Sequence, residues 1–222
     1  MNLSATDLFD LSHTAAAELL YSCDTPYLAL PKIKGFITEL SATLPPEEYE
    51  EISKGVFVSR DAIISDRATV LPPAIIGRGT EVRPGSFIRG SVLIGDGAVI
   101  GNSTEIKNAI IFDGVQLPHY NYVGDSILGY KAHLGAGAII SNFKLDHTGV
   151  NLRCGDEVIE TGLRKFGALL GDGVEVGCNS VIFPGTVIGK GTLVYPLTSA
   201  RGVIPKNAIV CSDGSIKNKE LR

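Results

Sequence analysis

The chain has 222 residues, 44% hydrophobic and 20% charged, with a net charge of −4. That composition is globular, and with no basic stripe or interleaved aromatics it offers no purchase for nucleic acid. Four cysteines (Cys23, Cys154, Cys178, Cys211) lie far apart without a CxxC pair, which argues against a zinc ribbon or disulfide scaffold, fits a reducing compartment and leaves no metal site to expect.

The opening, MNLSATDLFDLSHTAAAELL, carries acids early and has no basic segment followed by an apolar run. It does not read as a signal peptide, and no stretch reaches transmembrane length. A cytoplasmic protein without membrane contact is expected. Residues 1–56 hold nine acidic and three basic side chains, whereas 57–222 hold fifteen and seventeen. Within the acidic part, SHTAAAELLYSC reads as a helix with Ser12 as its N-cap. A second helix begins near Pro31 and places Leu30, Ile33, Phe36, Ile37 and Leu40 on one face. PPEEYEEISKG reads as a short acidic helix ended by Gly55. Residues 1–55 are therefore expected to be a helical extension. No glycine-rich nucleotide loop appears anywhere.

From Val58 the chain keeps a period of six: Val58, Ile64, Val70, Ile76, Val82, Ile88, Ile94, Ile100, Ile106, Phe112. Four residues after each comes a second column, beginning Ala62, Ala68, Ala74, Thr80, Ser86, and small in most places. A helix repeats at 3.6 and a half-buried strand at 2. Six residues match one short strand plus one turn, and three such units close a triangular coil. The pattern predicts an all-β parallel β-helix of hexapeptide repeats, with large branched residues inward and small ones near the corners.

The beat returns at Tyr122, Leu128, Leu134 and Ile140, ten residues after Phe112, which reads as four residues added to one hexad. It resumes at Leu170, Val176, Ile182, Ile188 and Val194, so residues 141–169 read as an excursion that rejoins its ladder. The expected organisation is a helical extension over 1–55, a β-helix over 56–210 with 141–169 protruding, and a tail over 211–222.

A rigid solenoid does its chemistry where the repeat is broken. The first break, QLPHYNYVGDS, carries His119 directly after Pro118. A histidine titrates in the range a general base needs, though a lone loop histidine can equally serve only to hydrogen-bond a carbonyl. Lys107 takes a slot where glycine often stands, and Arg89 takes the same slot eighteen residues earlier, so the two stack as a candidate phosphate cradle. Lys107 and His119, twelve apart, could share one edge. Asn142 leads into the excursion. Lys107 can also be read as a solvated edge lysine, and Asn142 as an ordinary turn asparagine.

EIKNAIIFDGVQLPHYNYVGDSILGYKAHLGAGAIISN resembles the acetyltransferase half of bifunctional N-acetylglucosamine-1-phosphate uridyltransferases. It resembles archaeal sugar-1-phosphate acetyltransferase domains still more, through its PHxxYVGDS and GAG…N blocks, and the chain is also similar to stand-alone hexapeptide proteins labelled pyrophosphorylase-related. The similarity spans roughly 57–210 and leaves out the nucleotidyltransferase half. The resemblance implies a left-handed coil, a homotrimer and acetyl-CoA as co-substrate. It implies His119 as the base that deprotonates a sugar amine, Tyr122 and Lys107 at the sugar phosphate, Asn142 as a positioning residue, and Arg89, or its rival Arg83, at the phosphate. His133 stands where bacterial members have asparagine, and Phe143 where they have tyrosine. Lys144, Arg153, Arg164 and Lys165 are the basic residues the excursion offers. Gly167, Ala168, Cys178, Tyr195 and Arg201 are candidate acetyl-CoA contacts, and amides near Gly135 to Gly137 could stabilise an oxyanion.

The implied activity is acetyl transfer from acetyl-CoA to an amino-sugar 1-phosphate such as glucosamine 1-phosphate, in the synthesis of nucleotide-sugar or cell-envelope precursors. The alternative is a non-catalytic module that binds a sugar nucleotide and docks a separate nucleotidyltransferase through its acidic helices.

Overall fold

A computed structural model describes residues 3–220. From Val56 onward the chain winds as a left-handed parallel β-helix of about nine turns. Each coil places one short strand on each of three faces, and successive coils pair in parallel. The first face carries Val58, Ile76, Ile94, Ile111, Leu128, Leu170, Ile188 and Ile204 in register. The second carries Val82, Ile100, Leu117, Leu134, Val176 and Val194. The third carries Val70, Ile88, Ile106, Val123, Ile140, Ile182 and Ala200. These residues point inward and form a continuous dry core. Small polar residues beside them close the corners, as where Thr80 donates to the Gly95 carbonyl and Ser86 to that of Gly101. The hexad expectation holds in kind, because each buried hydroxyl satisfies a carbonyl that the corner would otherwise orphan.

The ladder departs from the expected phase in one respect. No four-residue insertion exists at Gln116–Ser126. Leu117 pairs with Ile100 above, and Gln116, beside it, pairs with His133 below, so the second face runs unbroken through the QLPH segment. Instead, two successive corners in this region are each one residue short, and a later one, from Ala200 to Ile204, is two short. The inward column steps from Ile106 to Ile111 and from Val123 to Leu128. At these places Glu105–Ile111 and Tyr122–Leu128 run as continuous strands around the corner from third face to first. A single left-handed residue makes each bend, Asn108 at φ 45° and Asp125 at φ 48°. Asparagine and aspartate tolerate that conformation better than other side chains.

The N-terminal extension packs on the first face. Short helices α1 (Ala5–Leu8) and α2 (Ala17–Tyr21), a 3₁₀ segment Pro26–Lys32 and α3 (Ile33–Ser41) make up its helical part. The helix expected from Ser12 begins later, because Leu11–His13 is a 3₁₀ turn capped by Asp10. α3 and the 3₁₀ segment lie against the strands of the first face, so Ile75, Leu93, Ile110 and Ile127 on its outer side are buried as fully as the inner column. A face covered on both sides reads as a continuous apolar run, and VLI and AII do. The acidic helix expected before Gly55 is a strand, Tyr49–Ser53, antiparallel to Val56–Ser59. The first coil leaves an open sheet edge, and pairing it satisfies backbone groups that a helix there would leave bare. The tail from 211 does the same at the other end, where Ile216–Asn218 pairs antiparallel with Ala208–Val210.

Residues between Ile140 and Ala168 leave the ladder as an antiparallel hairpin, Val150–Cys154 with Glu157–Leu163. Val150 and Leu152 are buried beneath it. No helix among the described residues is long and apolar enough to cross a membrane.

Candidate functional site

The two short corners carry the site. Shortening the bend stacks Asn108, Asp125 and Asn142 at intervals of 17 residues along the edge between the third and first faces. Gly124 lies within this column. A β-carbon there would stand 2.6 Å from the Asn142 amide nitrogen and 2.7 Å from the Tyr122 hydroxyl, so glycine is what lets those two groups meet. Tyr122 projects outward from the third face and lines the same surface as Asn142. Burial raises the Tyr122 pKa above the ordinary phenol range, and the Glu105 and Asp125 carboxylates raise it further. The phenol is therefore neutral across the physiological range.

Beside this column opens a cleft of about 510 Å³ lined by Arg89, Lys107, Tyr122, Asn142, Phe143, Arg164 and Lys165. Four cations line it and no acid does. Their counter-charges stand behind them. Arg89 pairs with Glu105 at 2.5 Å, which also holds its guanidinium pKa above the usual value. Lys107 pairs with Asp125 at 3.3 Å. Asp125 is largely enclosed, its side chain 9% exposed. Arg164 lies over the Phe143 ring at 5.8 Å, so that ring holds a cation over the cleft. The Phe166 amide donates to the Asn142 carbonyl at 3.0 Å, which closes the excursion on itself and brings Arg164 and Lys165 back to the point of departure. Six charges in and behind the cleft sum to a positive excess, which suits a phosphate monoester.

The sequence brought Arg89, Lys107, Tyr122 and Asn142 to this place, and the structure puts all four there. Arg83, the rival to Arg89, pairs with Glu81 on the second face instead. Of the four basic residues the excursion offers, Arg164 and Lys165 reach the cleft; Asp125, behind it, was not singled out from the sequence. The rejoining phase of the ladder was the signal for the first two, since an excursion that returns in register must end where it began.

His119 is not in this cleft. It ends the strand Gln116–His119 on the second face, exposed, at the corner between second and third faces. Twelve residues of separation span two corners of one coil, so Lys107 and His119 do not share an edge. The turn at His119 is firmly built. Buried Asn121 accepts the His119 amide at 3.2 Å and donates to the Gly135 carbonyl at 2.8 Å. Gly101 is obligatory in the coil above it, because a β-carbon there would overlap the Pro118 carbonyl. His133 also faces out from the second face, its Nδ1 2.7 Å from Glu175. The Gly135 and Gly137 amides already donate to the carbonyls of Val176 and His119, so neither is free for an oxyanion in this chain.

The five expected cofactor contacts do not share one surface. Gly167 and Ala168 are buried in the wall, their amides donating to the Asp125 carbonyl and the Ser126 hydroxyl. Cys178 and Tyr195 are exposed at the second-to-third corner, one and two coils below the coil that carries His133. Arg201 lines a separate cleft of about 240 Å³ with Lys144, Arg153 and Phe183, stacked at 5.0 Å on that ring.

Comparison with known proteins gives a consistent relationship. The family model for the GMPPB C-terminal domain matches residues 70–176. A bifunctional sugar-1-phosphate nucleotidylyltransferase/acetyltransferase of Sulfurisphaera tokodaii is 35% identical over 150 residues, covering 68% of this chain and 37% of that protein. The bifunctional protein GlmU of Methanococcus maripaludis is 35% identical over 111 residues, covering 50% of this chain and 27% of its own length. The chain thus spans about a third of the length of the curated relatives it matches. Among solved structures, a mutant N-acyltransferase of Bacillus cereus, in complex with dTDP and coenzyme A, is 18% identical with a TM-score of 0.40, covering 75% of this chain and 81% of that one.

Proposed function

The chain is a homologue of GlmU-type bifunctional proteins over their hexapeptide-repeat part, and from that premise we propose that it transfers an acetyl group from acetyl-CoA to the amine of a sugar 1-phosphate. The observation that carries this reading is the convergence of Arg89, Lys107, Arg164 and Lys165 with Tyr122 and Asn142 in one cleft without an acidic lining residue. The cations hold the phosphate. Tyr122 and Asn142 orient the sugar ring. Glucosamine 1-phosphate is the acceptor this arrangement suits. The amine nitrogen forms a bond to the thioester carbonyl carbon, the carbon–sulfur bond breaks, and coenzyme A leaves as thiolate. The amine's proton passes to His119 and from there to the thiolate. Because His119 stands on another corner of its own chain, the reading requires the histidine of a neighbouring copy, and hence a homotrimer whose clefts lie between subunits. The cytoplasm, where sugar phosphates and acetyl-CoA occur, is the proposed location.

The test uses two inactive variants. His119→Ala is expected to abolish acetyl-CoA consumption with glucosamine 1-phosphate, and so is Lys107→Ala. Co-refolding the two is expected to restore part of the activity, since some interfaces then pair an intact histidine with an intact lysine. Full turnover by His119→Ala removes His119 as the base, and failure to complement removes the shared site.

The separation of His119 from the cleft favours a second reading if the chain acts as a monomer: a binder of sugar phosphates or sugar nucleotides, with a separate nucleotidyltransferase as its partner. Thermal stabilisation by a sugar nucleotide and none by acetyl-CoA would support it.

A further inference from the structure

Asp125 touches no open part of the cleft lining, yet it holds two residues that do. Its Oδ2 accepts from the Lys107 ammonium at 3.3 Å and from the Asn142 amide. Its Oδ1 accepts from the Asn108 amide at 2.8 Å. That Asn108 nitrogen lies 3.3 Å from the Leu30 carbonyl, so the column is braced by the N-terminal extension. A carboxylate only accepts. An asparagine facing it must therefore present nitrogen, and the flip that is ambiguous for most amides is settled here by the partner. The same nitrogen and the Tyr122 hydroxyl both border the space that a Gly124 β-carbon would fill, at 2.6 and 2.7 Å from it. What remains of Asn142 is its carbonyl oxygen, which has no donor among the described residues and belongs to a side chain on the cleft.

Resting on the reading of the cleft as a sugar-phosphate site, we propose that Asp125 is a positioning residue that sets specificity: by taking the Asn142 amide and the Lys107 ammonium, it turns the Asn142 oxygen toward the ligand and so selects a phosphorylated sugar carrying a hydrogen-bond donor. The ammonium anchors the phosphate and the oxygen reads the donor. Both are aimed by one buried carboxylate, which is itself fixed by the short corner. A ligand with no donor at that point leaves the oxygen unpaired, and this is the penalty on which strong discrimination rests.

The test measures equilibrium binding of three probes, glucosamine 1-phosphate, 2-deoxyglucose 1-phosphate and inorganic phosphate, to the full chain and to Asp125→Asn. The wild type is expected to prefer the amine over the deoxy sugar by about tenfold or more. In Asp125→Asn the new amide both donates and accepts, Asn142 is free to flip, and the preference is expected to fall to within about twofold. Inorganic phosphate is expected to bind as well or more tightly, because the cleft loses a negative charge beside Lys107. A role confined to folding would weaken all three probes together. An exchanged pair, Asp125→Asn with Asn142→Asp, restores an acceptor at position 142 and is expected to recover the preference, and it decides the matter if the single variant does not fold. An undiminished preference in Asp125→Asn overturns the proposal, and so does an exchanged pair without preference. A wild type that binds phosphate but does not discriminate overturns it while leaving the phosphate cleft intact. The expected binding pattern with no acetyl transfer by the wild type upholds Asp125 and removes the transferase reading. Binding of none of the probes removes both.

Discussion

Two kinds of coil meet at the candidate site, apart from a last coil of 16 residues, Ile188 to Ile204. In the upper coils the inward residues repeat every 18, as in Ile76 to Ile94 and Ile88 to Ile106. In the central coils they repeat every 17, as in Ile94 to Ile111 and Ile106 to Val123. The difference lies at one corner. Above, Gly90 and Ser91 make the bend with two left-handed residues, and below, Asn108 or Asp125 makes it with one. The longer corner is a turn of small residues. The shorter one has room for a single side chain, and that side chain points into a polar stack joining Lys107, Asp125 and Asn142. The missing residue is therefore the local cause of the site, and the solenoid on either side is the rigid frame that holds it.

The largest expected effect comes from abolishing that difference. A glycine inserted between Lys107 and Asn108 recreates the two-residue bend of the coil above, so the strand pairing of Ala109 with Val92 can survive. Asn108 is then withdrawn from Asp125, and the stack opens. The chain is expected to fold, with its β-sheet circular dichroism retained, while glucosamine 1-phosphate binding weakens by about a hundredfold through loss of two charge-assisted contacts. Unchanged affinity in a folded insertion variant would show that the short corner is incidental.

A smaller effect separates the two stacked cations. Arg89 belongs to an 18-residue coil and pairs with Glu105 near the surface, its side chain 43% exposed. Lys107 belongs to the short corner and pairs with an enclosed carboxylate, its side chain 22% exposed. Arg89→Ala and Lys107→Ala are each expected to weaken phosphate binding by about tenfold. Only Lys107→Ala is expected to lower stability clearly, by about 1–3 kcal/mol, because it strands Asp125, whereas the exposed pair contributes below about 1 kcal/mol. Equilibrium denaturation of the two variants side by side checks this, and equal midpoints would mean that Asp125 is more open to water than its surroundings indicate.

The sequence showed the regular coils plainly and the short ones badly, for a physical reason. A hexad signal needs one apolar residue flanked by polar ones. In Ala109–Ile110–Ile111–Phe112 all four are apolar, because the outer side of the first face is buried under the extension. Phe112 then satisfied the period as well as Ile111, and Tyr122 as well as Val123, so two deletions were read as one insertion. The strand Tyr49–Ser53 was hidden in the same way, since YEEIS has no periodicity of its own and is paired because the edge beside it needs a partner. Arg89, Lys107 and Asn142 were legible because the repeat itself places them. Asp125 was not, since its role depends on the missing residue. His119 was expected in a break of the ladder and instead ends a regular strand, and twelve residues carry it two of three faces on from Lys107, to a different edge.

The smallest effect concerns the corner between first and second faces, where the two kinds of coil agree. Asp96 and Asp113 each accept a backbone amide from the coil above, of Arg78 and Asp96 respectively, both at 2.8 Å. The ladder is the same whether the coil has 18 residues or 17. Asp113 differs only in being overlain by the extension, to which its amide donates at the His13 carbonyl. Burial raises its carboxyl pKa above the ordinary value of 3.8, against the lowering effect of the Asp96 amide and His13. A carboxyl whose folded pKa is raised binds its proton more tightly when folded. Its ionisation therefore opposes folding, in a window that opens near 3.8 and closes above the raised value. Asp113→Asn keeps an oxygen for the Asp96 amide and has no charge to desolvate. Its stability relative to wild type is expected to be nearly equal at pH 3, to improve slightly as pH rises through that window, and to stay constant to pH 7. Equilibrium denaturation of Asp113→Asn and wild type between pH 3 and pH 7 checks this. A difference that stays flat across that range would mean that the extension resting on the short coil does not desolvate the Asp113 carboxyl, whereas a rise assigns the cost to that cover.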